Sequence, residues 1–227
     1  MINKLPLAEK TNIKGWAFDD LVLKDVSNPT LCDLGIHSQA NQIILVDGKI
    51  VHNMVPSGIK VEVENLGELV PIPNQLIYLN GTKRNSCLVI TVSKNTSIAE
   101  TLSVVVVAKE RSLVHKTHVI LEESSTLKMV ENYIGFGNFN ANIMSTCELE
   151  ANASLTVNTV NSMATGTVVY HHKHAQMKND SFIDTTNFII NDTNLVFEDF
   201  THLIGRGAEA DVKTVAIASG RQQQNIT

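Results

Sequence analysis

The stretch VVYHHKHAQ, residues 168–176, places His171, His172 and His174 within four positions, the densest run of histidines in the chain. A neutral imidazole nitrogen ligates zinc, copper, iron and nickel, and thiolate joins it for the softer ions. On a strand, alternation sends His171 and His172 to opposite faces, so these two cannot chelate together. His172 shares its face with Tyr170 and His174. His115 and His118 are expected on the surface. The three cysteines, Cys32, Cys87 and Cys147, form no C-x-x-C pair, which leaves neither a disulfide framework nor a zinc knuckle. Reduced thiols are expected, with Cys87 and Cys147 buried in apolar strands.

Catalytic signatures are missing from the sequence. It holds no G-x-x-x-x-G-K-[ST] phosphate loop, no G-x-S-x-G elbow and no H-E-x-x-H pair, so any ATP hydrolysis would belong to a partner. With 18% charged residues and a formal net charge of -5, the 227 residues offer no broad positive field, and nucleic acid is not an expected partner. No apolar run is long enough to span a bilayer, and the N-terminus lacks the apolar core of a secretory signal; a cytoplasmic location is the expectation.

The elements that would carry these residues are strands. NQIILVDGKIVHN reads as a hairpin, with Ile43–Val46 as one strand, Asp47-Gly48 as a type I′ turn and the return starting at Ile50. From Ser86 onward, short β-branched runs such as CLVITV, LSVVVVA, THVILE and NFIIN are bounded by Ser, Asn, Gly or charged residues. No helix of more than two turns is expected after Leu76. Five segments repeat one pattern, VSKNTSIAE, EESSTLKMV, EANASLTVN, MKNDSFIDT and GRGAEADVK. Their period is about 28 residues. Taking Ile98, Leu127, Leu155, Phe182 and Ala210 as equivalent gives an inward ladder of successive coils about 4.8 Å apart. Asn, Ser and Gly then fall at the corners, where left-handed backbone is useful. A β-helix is the leading architecture, and a twisted β-sandwich the alternative.

This register brings one metal-binding column into view. Eight positions before Leu155, Phe182 and Ala210 lie Cys147, His174 and His202, candidates for a shared soft or borderline metal. The faces conflict: in CELE the glutamates turn Cys147 inward, while in HAQM the apolar Ala175 and Met177 turn His174 outward. These three stay weak metal candidates, and no catalytic or cofactor-binding residue is assigned. Asp180, Asp184, Asp192 and Asp199 do not stack in the expected register, which argues against the carboxylate groove of a polysaccharide lyase or hydrolase. Gly135 and Gly137 are expected to relieve a corner.

The passage LIGRGAEADVKTVAIASGRQQQNIT resembles the core shared by the SufB and SufD scaffold proteins of the Suf iron–sulfur cluster assembly machinery, through Gly205, Gly207, Ala208, Glu209, Gly220, Gln222 and Thr227. LVDGKIVHN and LPLAEKTNIKGWAFDDL are similar to family segments as well, the latter to one near the N-terminus of SufD proteins. The resemblance implies an all-β fold, a right-handed parallel β-helix with a short irregular N-terminal segment. Residues 1–85 would carry the hairpin and lead into the solenoid, and residues 86–227 would form its core, incomplete at the C-terminal end. It further implies a non-catalytic scaffold, closer to SufD than SufB, working with SufB-like and SufC-like subunits, SufC being the ATPase. An iron–sulfur cluster is expected only in the full complex. Family members continue through further coils and a helical region that docks SufC, so the SufC contact is expected to be missing from this chain. The last coil is expected to self-associate. The competing reading is a carbohydrate-active β-helix enzyme, a polysaccharide lyase or hydrolase, and an adhesin-like or other interaction solenoid is the third.

Overall fold

The computed structural model describes residues 35–63, 74–137, 140–163, 168–190, 193–218, 220 and 222–227. The segment LPLAEKTNIKGWAFDDL and Cys32 lie outside these residues, as does Asp192. The described residues open with β1 (Gln42–Val46), β2 (Lys49–Met54) and β3 (Ile59–Glu62), then α1 (Gln75–Lys83) and β4 (Ser86–Val92). Ten strands follow: β5 (Ser97–Ala108), β6 (Leu113–Leu121), β7 (Thr126–Gly135), β8 (Ala141–Leu149), β9 (Ser154–Met163), β10 (Val168–Met177), β11 (Phe182–Ile190), β12 (Asn194–Leu203), β13 (Glu209–Ile217) and β14 (Gln224–Ile226). They alternate between two sheets, ordered β13-β11-β9-β7-β5-β1-β2 and β14-β12-β10-β8-β6-β4-β3. From β5 onward all neighbours are parallel, so each odd–even pair is one coil of a β-solenoid and there are five such coils. The β1–β2 hairpin is built into the N-terminal end, since β1 also pairs in parallel with β5.

The corners explain the period. Asn95, Ser124, Asn152, Asp180 and Gly207 all have φ between 54° and 74°. Each corner amide up to Asp180 donates to a carbonyl in the next coil, as Ser124 does to Ala151 and Asn152 to Asn179. Asn, Asp and Gly tolerate left-handed backbone, and their side chains or lack of one favour it locally. The hairpin turn has the expected form, with φ of 47° at Asp47 and 82° at Gly48. The Asp47 carboxylate accepts from the amides of Lys109 and Glu110, locking the corner after β5.

The inward ladder is confirmed with one change. Leu127, Leu155, Ile183 and Ala210 are in register, and Ile98 is buried near them beside a bulge in β5. Phe182 instead pairs with Ser154 and Glu209 and is 39% exposed. The corner sets this: Asp180 occupies the place of Asn152, so Phe182 stands where Ser154 does and Ile183 enters the core. On β13 the inward positions, Ala210 among them, are exposed.

α1 departs from expectation by running nine residues, through Lys83. Tyr78, Gly81 and Thr82 are poor helix formers, and the helix forms because it is capped and docked. Asn74 Oδ1 accepts from the amides of Leu76 and Ile77, both at 2.9 Å, and Leu76 and Ile77 pack on Met144, Tyr170 and Val196 of the sheet beneath. Replacing Asn74 with Ala should cost about 1 kcal/mol through the cap. Loss of the bond from Asn74 Nδ2 to Tyr170 Oη adds to it. A urea midpoint for Asn74→Ala matching that of the parent would contradict this role.

Candidate functional site

The interior is not uniformly apolar. At the corner after each even strand, Leu121, Leu149 and Met177 form dry columns with Leu127, Leu155 and Ile183 nearby. Toward the middle of the strands, alternation carries polar side chains into the same interior. One column runs Leu88, Thr117, Ser145, Lys173, Asp199, and a neighbouring one Ser86, His115, Ile143, His171, Phe197. From the facing sheet come Val104, Glu131, Thr159, Asn187, Thr214 and, beside them, Val106, Tyr133, Asn161, Ile189.

These groups form one hydrogen-bonded network. His115 contacts Ser86 Oγ through Nδ1 and Thr117 Oγ1 through Nε2, both at 2.8 Å. Thr117 meets Tyr133 Oη at 3.3 Å, and that phenol meets Ser145 Oγ at 3.0 Å. Ser145 donates to Glu131 Oε2 at 3.2 Å and lies 3.0 Å from His171 Nε2, whose Nδ1 contacts Asn161 Oδ1. Thr159 Oγ1 donates to Glu131 Oε2 at 3.2 Å and accepts from Lys173 Nζ at 2.9 Å. Lys173 also donates to Asn187 Oδ1 at 2.9 Å, and Asn187 Nδ2 donates to Asp199 and Thr214. The network thus crosses from β4 to β13, a span of roughly 24 Å at five strand spacings.

Burial dominates its electrostatics. Glu131 is 2% exposed, and desolvation raises its pKa against the opposing pull of Lys173 and the Thr159 and Ser145 hydroxyls. His115 is held down to about 3 by desolvation and the Arg84 charge, and His171 well below its ordinary value by desolvation with Lys173 alongside. These imidazoles are neutral at pH 7. Burial pushes the Cys147 thiol up to about 12, so it is protonated and no nucleophile. Glu131, Ser145, Cys147, Lys173 and Asp199 help line a cavity of about 30 Å³, room for one or two waters. The arrangement can hold water and move protons between neighbouring groups.

The proposed metal column does not assemble. Cys147 faces inward beside Ala175, and Ala175 beside Thr201. His174 faces outward next to Thr146 and Phe200, and His202 pairs with Gln176. The one-residue shift at Phe182 is the reason: counted from Ile183, the equivalent of Cys147 is Ala175. The His174 and His202 rings do meet, edge to face at 4.6 Å. Among the described residues no three His, Cys, Asp or Glu side chains are grouped to hold a metal. His115 and His118, expected on the surface, are 0% and 2% exposed. The inward turn of β6 buries His115, whereas His118 lies on the outer face against Thr146 Oγ1 at 2.8 Å. His172 also lies on that outer face, 3.2 Å from Glu198 Oε2, which accepts from Tyr170 at 2.6 Å. Asp184, expected not to stack on another carboxylate, has Asp211 beside it, and Lys213 bridges both at the surface as ion pairs. Glu131, Tyr133, Ser145 and Lys173 were not singled out by sequence reasoning, although in LKMVENY the glutamate stands on the apolar parity.

No helix among the described residues is long and apolar enough to cross a membrane. Comparison with known proteins matches residues 104–227, more than half of the chain, to the family model described as SUF system FeS cluster assembly, SufBD core domain. The chain is also 29% identical over 160 residues to the iron–sulfur cluster assembly protein SufD of Bacillus subtilis (strain 168), an alignment covering 68% of this chain and 37% of that protein. The chain thus spans well under two thirds of that relative. A parallel solenoid whose coils match the SufBD core from residue 104 to residue 227 belongs to the SufB/SufD family of the SUF iron–sulfur cluster assembly system.

Proposed function

We propose that the chain serves iron–sulfur cluster assembly as a non-catalytic scaffold of the SufD type, in the cytoplasm, in a complex with SufB-like and SufC-like subunits. The observation that carries this reading is the match of residues 104–227 to the SufBD core. The core thiol of Cys147, protonated at neutral pH, is in keeping with it. In this reading the cluster is cargo held by the complex. Tagged chain co-expressed with SufB and SufC should retain SufB through purification. Failure of the chain to retain either subunit, while folded by circular dichroism, would sink the proposal.

Self-association is part of the same reading. β13 exposes both faces and carries Val212, Val215 and Ile217 at 44–55% exposure. An open strand of this kind supports pairing with a second copy. Light scattering should give a dimer, and Val215→Lys with Ile217→Lys should shift it to monomer. A monomeric parent protein would exclude the contact.

A further inference from the structure

We propose that Cys87 and Lys116 are a modification site, in which hydrogen peroxide joins them through a sulfur–nitrogen bond across β4 and β6. The two residues are register partners on adjacent parallel strands, so their Cα atoms are neighbours across a single strand spacing. Leu88 and Thr117, the next residues on each strand, belong to the interior column, which places Cys87 and Lys116 together on the outer face. Both are withdrawn from solvent, at 5% and 1% exposure. Arg84 Nη1 donates to Cys87 Sγ at 3.9 Å and holds the sulfur in this corner.

The amine is the unusual member. No hydrogen bond to a described residue engages Lys116 Nζ, although the side chain is almost wholly buried. Burial, with the Arg84 charge next in effect, brings its pKa down to about 8. About a tenth of the side chains therefore carry a free amine lone pair at pH 7. Lys173, which lies near the other described cysteine, Cys147, provides the contrast within the same fold. Its Nζ is engaged by Thr159 and Asn187, and the Cys147 thiol is pushed up to about 12. At the outer-face pair, by contrast, the amine is not engaged by any described residue.

The chemistry closes without a further reagent. The Cys87 thiol reacts with one hydrogen peroxide to give the sulfenic acid and water. The neutral Lys116 amine then attacks that sulfur, the S–O bond breaks, and the hydroxyl leaves with an amine proton as a second water. Overall the thiol and amine lose two hydrogens, and peroxide is reduced to two waters. A thiol reductant reverses the bond, restoring both side chains. Burial favours this outcome, because an intramolecular amine competes well with peroxide and bulk thiols at a shielded sulfur.

The test uses the full chain, treated with hydrogen peroxide, digested without reduction and read by mass spectrometry. The expected result is a peptide containing Cys87 joined to the one containing Lys116, with a mass two hydrogens below their sum. Trypsin should fail to cleave after Lys116, and dithiothreitol should restore both separate peptides. Cys87→Ser and Lys116→Arg should each abolish the link, with the Lys116→Arg protein accumulating sulfinic acid at Cys87. Cys147→Ser should leave it intact. The parent protein giving only sulfinic acid or a disulfide at Cys87 would overturn the proposal, as would a link that retains an oxygen atom. Circular dichroism of each variant separates loss of the link from loss of the fold. The result is independent of any assembly role, since it requires no partner.

Discussion

Lowering the pH from 7 to 5 should remove a large part of the protein's resistance to urea, and the loss should come from imidazoles. In the folded chain His115 has its pKa held at about 3 and His118 at about 4, in each case chiefly by burial, and His171 lies well below the ordinary value. In the unfolded chain each titrates near 6.5. Between 6.5 and the folded values the unfolded state binds more protons, so stability falls as pH falls. His115 alone should contribute a loss of about 2 kcal/mol at pH 5, and His118 about as much again. His171 acts in the same direction. Against a total stability of roughly 5–15 kcal/mol, this is enough to place the protein near its unfolding transition. Glu131 opposes the trend: its raised pKa gives stability that is present below its unfolded value and lost as pH rises. Urea midpoints at pH 7, 6 and 5 check the expectation, and His115→Gln should flatten the slope. A midpoint that holds constant from pH 7 to 5 would contradict neutral buried histidines.

Lys173→Met should destabilise the protein by about 1–3 kcal/mol at pH 7, because it removes the positive charge that opposes the desolvation of Glu131. The ammonium also supplies two hydrogen bonds, to Thr159 and Asn187, whose oxygen atoms would be left in the core. Adding Glu131→Gln should recover much of the loss, since the uncompensated charge is then gone and the amide still accepts from Ser145 and Thr159. The sign with pH follows from Glu131. Without Lys173 its pKa rises further, so the gap between Lys173→Met and the parent should narrow as pH falls toward 5. Equilibrium denaturation of the parent, both single variants and the double variant measures the coupling directly. A double variant no more stable than Lys173→Met would show that lost packing, not charge, governs this position.

Much of the architecture was legible because a solenoid repeats its instructions. Asn95, Ser124, Asn152 and Asp180 are visible as small polar residues one coil apart, and all four adopt left-handed backbone at the corners. The Asp47-Gly48 turn was visible for the same local reason. α1 was not, since its stability comes from the Asn74 cap and from docking on Met144 and Tyr170 rather than from propensity. The candidate site was legible only in fragments. The opposite faces of Cys147 and His174 followed from their neighbours, while the burial of His115 and His118 depended on partners in other strands.

What the amino-acid sequence determined by itself was the strand texture, the period of the coils and the positions of the corners, because each is decided by residues adjacent along the chain. Only the tertiary structure decided which residue of Phe182-Ile183 enters the core, and hence that Ala175 rather than His174 follows Cys147. Side chains alternate with a period of two, so a one-residue error in register exchanges the faces of a whole strand. The polar interior was likewise a tertiary outcome: Glu131 and Lys173 can be buried only because hydroxyl and amide groups from several coils meet them there.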